Sequence, residues 1–230
     1  MRERGDLDVL HEPFMYHYYI HCDRPKFSGF EPEPGHPTAF NDIRDMVRAR
    51  ARQAPVFLKD MAYYVADSIL HDAQFAHEIQ HAFLIRDPAE AVVSYAKRQA
   101  DFACVEVGIE AQWDLFCHLK TLGKDPVVLN AAAIRADPGT QMARYWAAVG
   151  LPDRPAALTW DRRVPAGWRS VQTWHSDVLQ TRSILPPDPT QDIAAELSVL
   201  PQRFQDMAHH HQVFYDHLAA VAVAQQTTVL

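Results

Sequence analysis

The chain has 230 residues, 48% of them hydrophobic and 22% charged, enough for one α/β domain spanning 1–230 with a core of its own. A formal charge of −7, with 13 histidines counted neutral, excludes a surface built for nucleic acid or an anionic membrane. Three scattered cysteines without a C-x-x-C pair, no apolar stretch near the ~20 residues of a membrane span and no signal-type core in MRERGDLDVL predict a reduced, cytoplasmic protein without a zinc motif.

In chain order, Asp8-Val9-Leu10 reads as a short strand closed by His11-Glu12-Pro13. The aromatic run FMYHYYIHC follows, then a proline- and glycine-rich loop from Pro25 to Pro37. Phe40 to Gln53 predicts a helix, residues 55–59 (PVFLK) a second strand, and 60–70 another helix. The stretch HAFLIRDPAEAVVSYAKR, 81–98, divides into a strand ending at Ile85, a turn at Asp87-Pro88 and a helix to Arg98. Ala111 to Leu122 is an amphipathic helix capped by Gly123, Val127 to Asn130 a fourth strand, and 139–149 a helix stopped at Gly150. Residues 161–183, with Trp168, Arg169, Trp174, His175 and Arg182, lack periodicity and read as a loop; 161–190 is expected to act as a lid. Pro186, Pro187 and Pro189 precede a terminal helix over 191–224.

Short, wholly apolar strands alternating with helices predict a mostly parallel sheet covered on both faces, a three-layer α/β fold. Ligands of such sheets bind at the carboxyl ends of the strands. Those ends carry Glu12, Lys59-Asp60, Arg86-Asp87 and Asn130. A single polar strand end is ordinary surface; four together mark a candidate site.

The strand-Arg-Asp-Pro-helix-Ser pattern, with Arg86 ending the strand and Ser94 eight residues on, resembles the 3′-phosphate-binding element of P-loop sulfotransferases. These enzymes use 3′-phosphoadenosine 5′-phosphosulfate (PAPS). A guanidinium fork, a hydroxyl and helix N-terminal amides are a fitting anion grip. Glu12-Pro13-Phe14, Lys59-Asp60-Met61-Ala62, Gln112-Trp113-Asp114-Leu115-Phe116 and the 168–183 region extend the resemblance over nearly the whole chain. They are similar to a bacterial sulfotransferase-like group sometimes described as aminotransferase-like. The resemblance implies PAPS as co-substrate, a hydroxyl or amine of a small-molecule acceptor, Arg86 and Ser94 on the 3′-phosphate, Glu12 as base and Lys59 near the sulfuryl group. Met61 stands where many members carry a histidine base, so burial would have to lift the Glu12 pKa toward neutrality. Plainer uses exist for each: Glu12 as a cap in the Pro13 turn, Lys59 as a solvated strand end.

The sequence departs from the family at one place. A P-loop-like stretch for the 5′-phosphosulfate is expected 15 to 20 residues before the Glu-Pro-Phe, and eleven residues precede Glu12. The family's first strand lies mid-sheet, between the strands ending at Lys59 and Arg86. The chain as it stands is therefore expected to form a sheet lacking that first strand, and three outcomes are open. The protein is some 20 to 30 residues longer at its N-terminus, which supplies the strand and loop; the gap closes by direct pairing of 56–59 with 82–86; or a segment enters from a partner chain, a homodimer mate or the apolar residues 218–230. Direct pairing or replacement is expected if this chain is stable by itself. The alternative function is a non-catalytic or repurposed member that binds another small molecule or a partner.

Two side readings remain. Phe14, Tyr16, Tyr18, Tyr19, Trp168 and Trp174 either line an acceptor pocket or pack as core and lid. His17 and His21, four apart, have zinc-ligand spacing if helical, and His209 to His211 form a triplet, but the first cluster lacks a third ligand and no metal is expected.

Overall fold

The computed structural model describes residues 1–27, 29–165, 168 and 174–227; Arg169 of the expected lid lies outside them. Four short strands form, β1 (Asp8–His11), β2 (Val56–Lys59), β3 (Ala82–Ile85) and β4 (Val127–Asn130). They are joined by helices α1 (Phe40–Ala51), α2 (Ala62–Leu70), α3 (Ala73–Glu78), α4 (Pro88–Ala96) and α5 (Ile109–Thr121). The chain continues through α6 (Ala131–Ala136), α7 (Pro138–Ala148), α8 (Ser176–Leu179), α9 (Ile193–Ser198) and α10 (Gln202–Thr227). The fold is mixed α/β with parallel strands, and it divides into two compact units, 1–68 with 154–185, and 69–153 with 186–230.

In the first unit β1 and β2 pair in parallel, His11 opposite Lys59. The aromatic run packs inward through Phe14, Tyr16 and Tyr19, which are buried together with Phe27, Tyr63 and Tyr64. Tyr19 meets Phe27 edge-on at 5.4 Å and Tyr64 at 5.5 Å, the geometry ring quadrupoles favour. These rings are core.

In the second unit β3 and β4 pair in parallel, Ile85 opposite Asn130. Val92, Phe102, Phe204 and Ala208 form a buried cluster, and Phe83 and Ile85 turn inward while Leu84 on the alternate face is 56% exposed. Side-chain amides occupy both edges of this two-stranded sheet. Gln225 accepts from the Val128 N–H (2.9 Å) and donates to the Pro126 carbonyl (2.9 Å), in place of a fifth strand. Gln112, from the Gln-x-x-Leu-Phe motif, donates to the Leu84 carbonyl (3.1 Å).

The expected direct pairing of 56–59 with 82–86 does not occur: β1–β2 and β3–β4 are separate sheets. The β2 residues are half-buried, and the Leu84 carbonyl at the β3 edge already has the Gln112 amide, so the slot is not the sealed apolar one that would force a ladder. The apolar C-terminus does not supply a strand either. Through Thr227 it is helical, with Leu218 and Ala222 buried.

Three helix boundaries also differ from expectation. Pro201 divides the predicted terminal helix into α9 and α10, because its ring lacks an N–H and clashes with the preceding turn. The short α3 and α6 start on side-chain caps, Asp72 accepting from Phe75 N (3.0 Å) and Asn130 from Ala132 N (2.8 Å). Asn130 also donates to the Tyr215 hydroxyl (3.0 Å). Its polar end is structural. No helix among the described residues is long and apolar enough to cross a membrane.

Candidate functional site

In the first unit the chain leaves β1 through a tight turn. Glu12 sits at φ 49°, a left-handed conformation few non-glycine residues adopt. Three bonds impose it: Glu12 N–H to the Lys59 carbonyl (2.6 Å), Met15 N–H to the Glu12 carbonyl (3.1 Å), and Phe14 N–H to Asp60 Oδ1 (3.1 Å). The strand register then brings the Glu12 carboxylate against Lys59 Nζ in a direct ion pair. Met61 Sδ lies 3.3 Å from the same ammonium. Glu12 is 8% exposed, whereas 42% of the Lys59 side chain reaches solvent.

Burial pushes the Glu12 pKa up, but the Lys59 charge and hydrogen bond, with His11 and His175, outweigh it and hold the carboxylate below its ordinary range. The lift toward neutrality that the base role called for is thus reversed; a cation in contact overrides desolvation. Asp60 goes the other way. Its buried carboxyl, next to the Glu12 charge, keeps its proton well above the usual range, and its Oδ2 has no hydrogen-bond partner among the described residues.

Two histidines complete this centre. His11 Nε2 lies 3.8 Å from Glu12 Oε1 and 3.0 Å from His175 Nε2. The His175 ring stacks on Trp168 at 4.1 Å. Burial, with the Lys59 and His175 charges and against that of Glu12, lowers His11 from 6.5 to about 4. His11 is therefore neutral at pH 7 and offers a ring nitrogen for a proton. Burial, Glu12 and Tyr19 push the Tyr64 phenol well up, leaving it a donor. Sequence reasoning missed His11, Asp60 and His175 as a group. His11 and Asp60 adjoin Glu12 and Lys59, which was a usable signal; His175, 164 residues from its partner, was named only as part of the segment expected to act as a lid.

The second unit carries the strand-Arg-Asp-Pro-helix segment. Arg86 follows β3 directly, and Asp87 caps α4 by accepting from Glu90 N (3.1 Å), with Pro88 at its first position. Arg86, Glu90, Ser94 and Arg98 recur every four residues, the middle two within α4 and the outer two just beyond its ends. Arg86 Nε donates to Glu90 Oε2 (3.0 Å), with 42% of its side chain exposed. Ser94 Oγ accepts from Arg98 Nη1 (3.1 Å). Arg86 precedes α4 and Ser94 lies within it; each is engaged by the residue four positions on, Glu90 for Arg86 and Arg98 for Ser94. The expected supply of helix amides is reduced as well, since Pro88 has no N–H and Asp87 takes that of Glu90.

His17 and His21 fall on a wide π-type turn, their rings stacked 5.1 Å apart at 25°. Stacked rings do not converge on an ion.

A family model described as a sulfotransferase domain matches residues 1–195. The chain belongs to the sulfotransferase family. The matched span runs from β1 into α9 and contains Glu12, Lys59, Arg86 and Ser94. No curated protein and no solved structure matches this sulfotransferase-family chain. The family's chemistry in general is sulfuryl transfer.

Proposed function

We propose that this protein transfers a sulfuryl group from PAPS to the hydroxyl or amine of a small-molecule acceptor. The observation that carries the reading is the Glu12–Lys59 pair at adjoining parallel strand ends in a chain of the sulfotransferase family. Glu12-Pro13-Phe14 and Lys59-Asp60-Met61-Ala62 support its place in the bacterial aminotransferase-like group.

The acceptor oxygen attacks sulfur as the bond from sulfur to the phosphate oxygen breaks. The acceptor proton passes to Glu12, and adenosine 3′,5′-bisphosphate leaves. Lys59, half-exposed, offsets charge on the departing phosphate. A carboxylate held below its ordinary pKa is a weak base at rest, and Glu12 takes the proton as bonding to sulfur makes the acceptor acidic. Arg86 and Ser94 hold the 3′-phosphate, the anion displacing Glu90 from Arg86.

The test is calorimetry with adenosine 3′,5′-bisphosphate. Binding that weakens at least tenfold in Arg86→Ala is expected. Absence of binding at millimolar nucleotide would overturn the proposal in favour of the non-catalytic, repurposed member. Where nucleotide binds, radiolabelled sulfate transfer from PAPS to a panel of phenols, alcohols and amines follows, with Glu12→Gln expected to lose activity at least a hundredfold.

A further inference from the structure

We propose that Cys104, His210 and His211 form a three-ligand site for a zinc-like divalent ion in the second unit, apart from sulfuryl transfer. Three segments converge there: the 3-10 turn at Cys104–Val107, the first turn of α5, and the middle of α10. One ligand-type atom each from Cys104, His210 and His211 lies within 4.8 Å of the others. The distance from Cys104 Sγ to His211 Nε2 is 3.6 Å. Bonds of ~2.3 Å to sulfur and ~2.0–2.1 Å to nitrogen at a tetrahedral angle place those two atoms about 3.5 Å apart. Glu110 Oε2 lies 2.9 Å from His210 Nε2, outside the group of three, as a partner that orients the second imidazole. One thiol and two imidazoles are an S and N donor set that suits zinc, with water in the fourth position.

The remaining contacts of His211 define what binding must change. Its Nε2 donates to the Cys104 carbonyl (2.8 Å), and its Nδ1 accepts from the Glu110 N–H at 3.3 Å. An entering ion takes Nε2 in place of that proton, which moves to Nδ1; the Cys104 carbonyl must swing off that nitrogen, and the long amide contact is given up. The Cys104 S–H bond breaks, the S–metal bond forms, and the thiol proton goes to solvent, so one proton is released per ion bound. Burial and the Glu110 charge push the Cys104 thiol up. The ion, rather than the protein alone, makes the thiolate. His211 is fully buried, whereas His210 is exposed: one imidazole is fixed and the other can swing in. The triplet's first member, His209, is exposed and outside the group.

The test uses the full chain, purified without an affinity tag and stripped with a chelator, titrated with Zn2+ against a chromogenic chelator and with Co2+ for the thiolate-to-cobalt absorption band. One ion per chain is expected, with the band present. Cys104→Ser should abolish the band, His210→Gln should weaken zinc at least tenfold, and both should fold, since neither changes size much. His209→Gln and Cys22→Ser should leave both readouts unchanged. A wild-type chain that binds no zinc, or a Cys104→Ser chain that binds it equally well, would overturn the site. None of these readouts depends on PAPS or on activity.

Discussion

Both units end a strand with a paired carboxylate and cation, yet the two pairs differ in kind. Glu12 and Lys59 are 47 residues apart, and the strand register and a left-handed turn bring them together around a buried carboxylate. Arg86 and Glu90 are one helical turn apart and both lie in reach of solvent. The first pair depends on the tertiary fold and perturbs its neighbours, pushing Asp60 and Tyr64 up. The second is local and replaceable. Chemistry that needs a fixed charge suits the first; an anion that must come and go suits the second.

Breaking each pair should expose that contrast. Lys59→Met leaves a buried carboxylate without its cation and should cost about 3 kcal/mol, read from the urea midpoint; adding Glu12→Gln to it should recover more than half. A neighbouring effect is set by pH. His11 binds its proton near pH 6.5 when unfolded and at about 4 when folded, so stability should fall as pH drops through that window, by about 3 kcal/mol in all. His11→Gln should flatten the slope between pH 6.5 and 4. Glu12 acts in the same direction at lower pH: its depressed pKa gives stability that is present above the ordinary carboxylate range and lost as acid protonates it.

Smaller effects belong to the second unit. Gln225→Leu removes two edge hydrogen bonds and should cost about 1–2 kcal/mol in thermal or urea unfolding. Gln112→Leu should cost less than half of that, because Gln112 makes one bond and its buried Oε1 has no partner among the described residues. Smallest of all, Glu90→Gln should change stability by only about 0.3–0.5 kcal/mol, as a surface pair one turn apart does. It should nonetheless tighten adenosine 3′,5′-bisphosphate binding severalfold by freeing Arg86. Weaker nucleotide binding in Glu90→Gln would argue that the carboxylate orients Arg86 rather than competing for it.

The four strands were legible because each is a wholly apolar run bounded by proline, charge or asparagine, and local pattern decides such elements. The Arg86–Glu90 pair was equally legible, since RDPAE places the two at helical spacing; the phosphate reading drew attention past it. The break at Pro201 stood in plain view as well. His175 was out of reach, because nothing near it in the chain says which ring it will meet. The strand pairing was misjudged for a different reason. Exposed backbone edges were counted as buried, and glutamine side chains were not counted as ladder partners.

Those glutamines have a consequence for how the second unit behaves in company. A carboxamide is a peptide group on a two-carbon tether, and at Val128 and Pro126 it completes the row with nothing behind it to continue the pattern. Any foreign segment seeking to extend the row must first evict it, so a single side chain guards against runaway self-association where a longer hairpin would otherwise be needed.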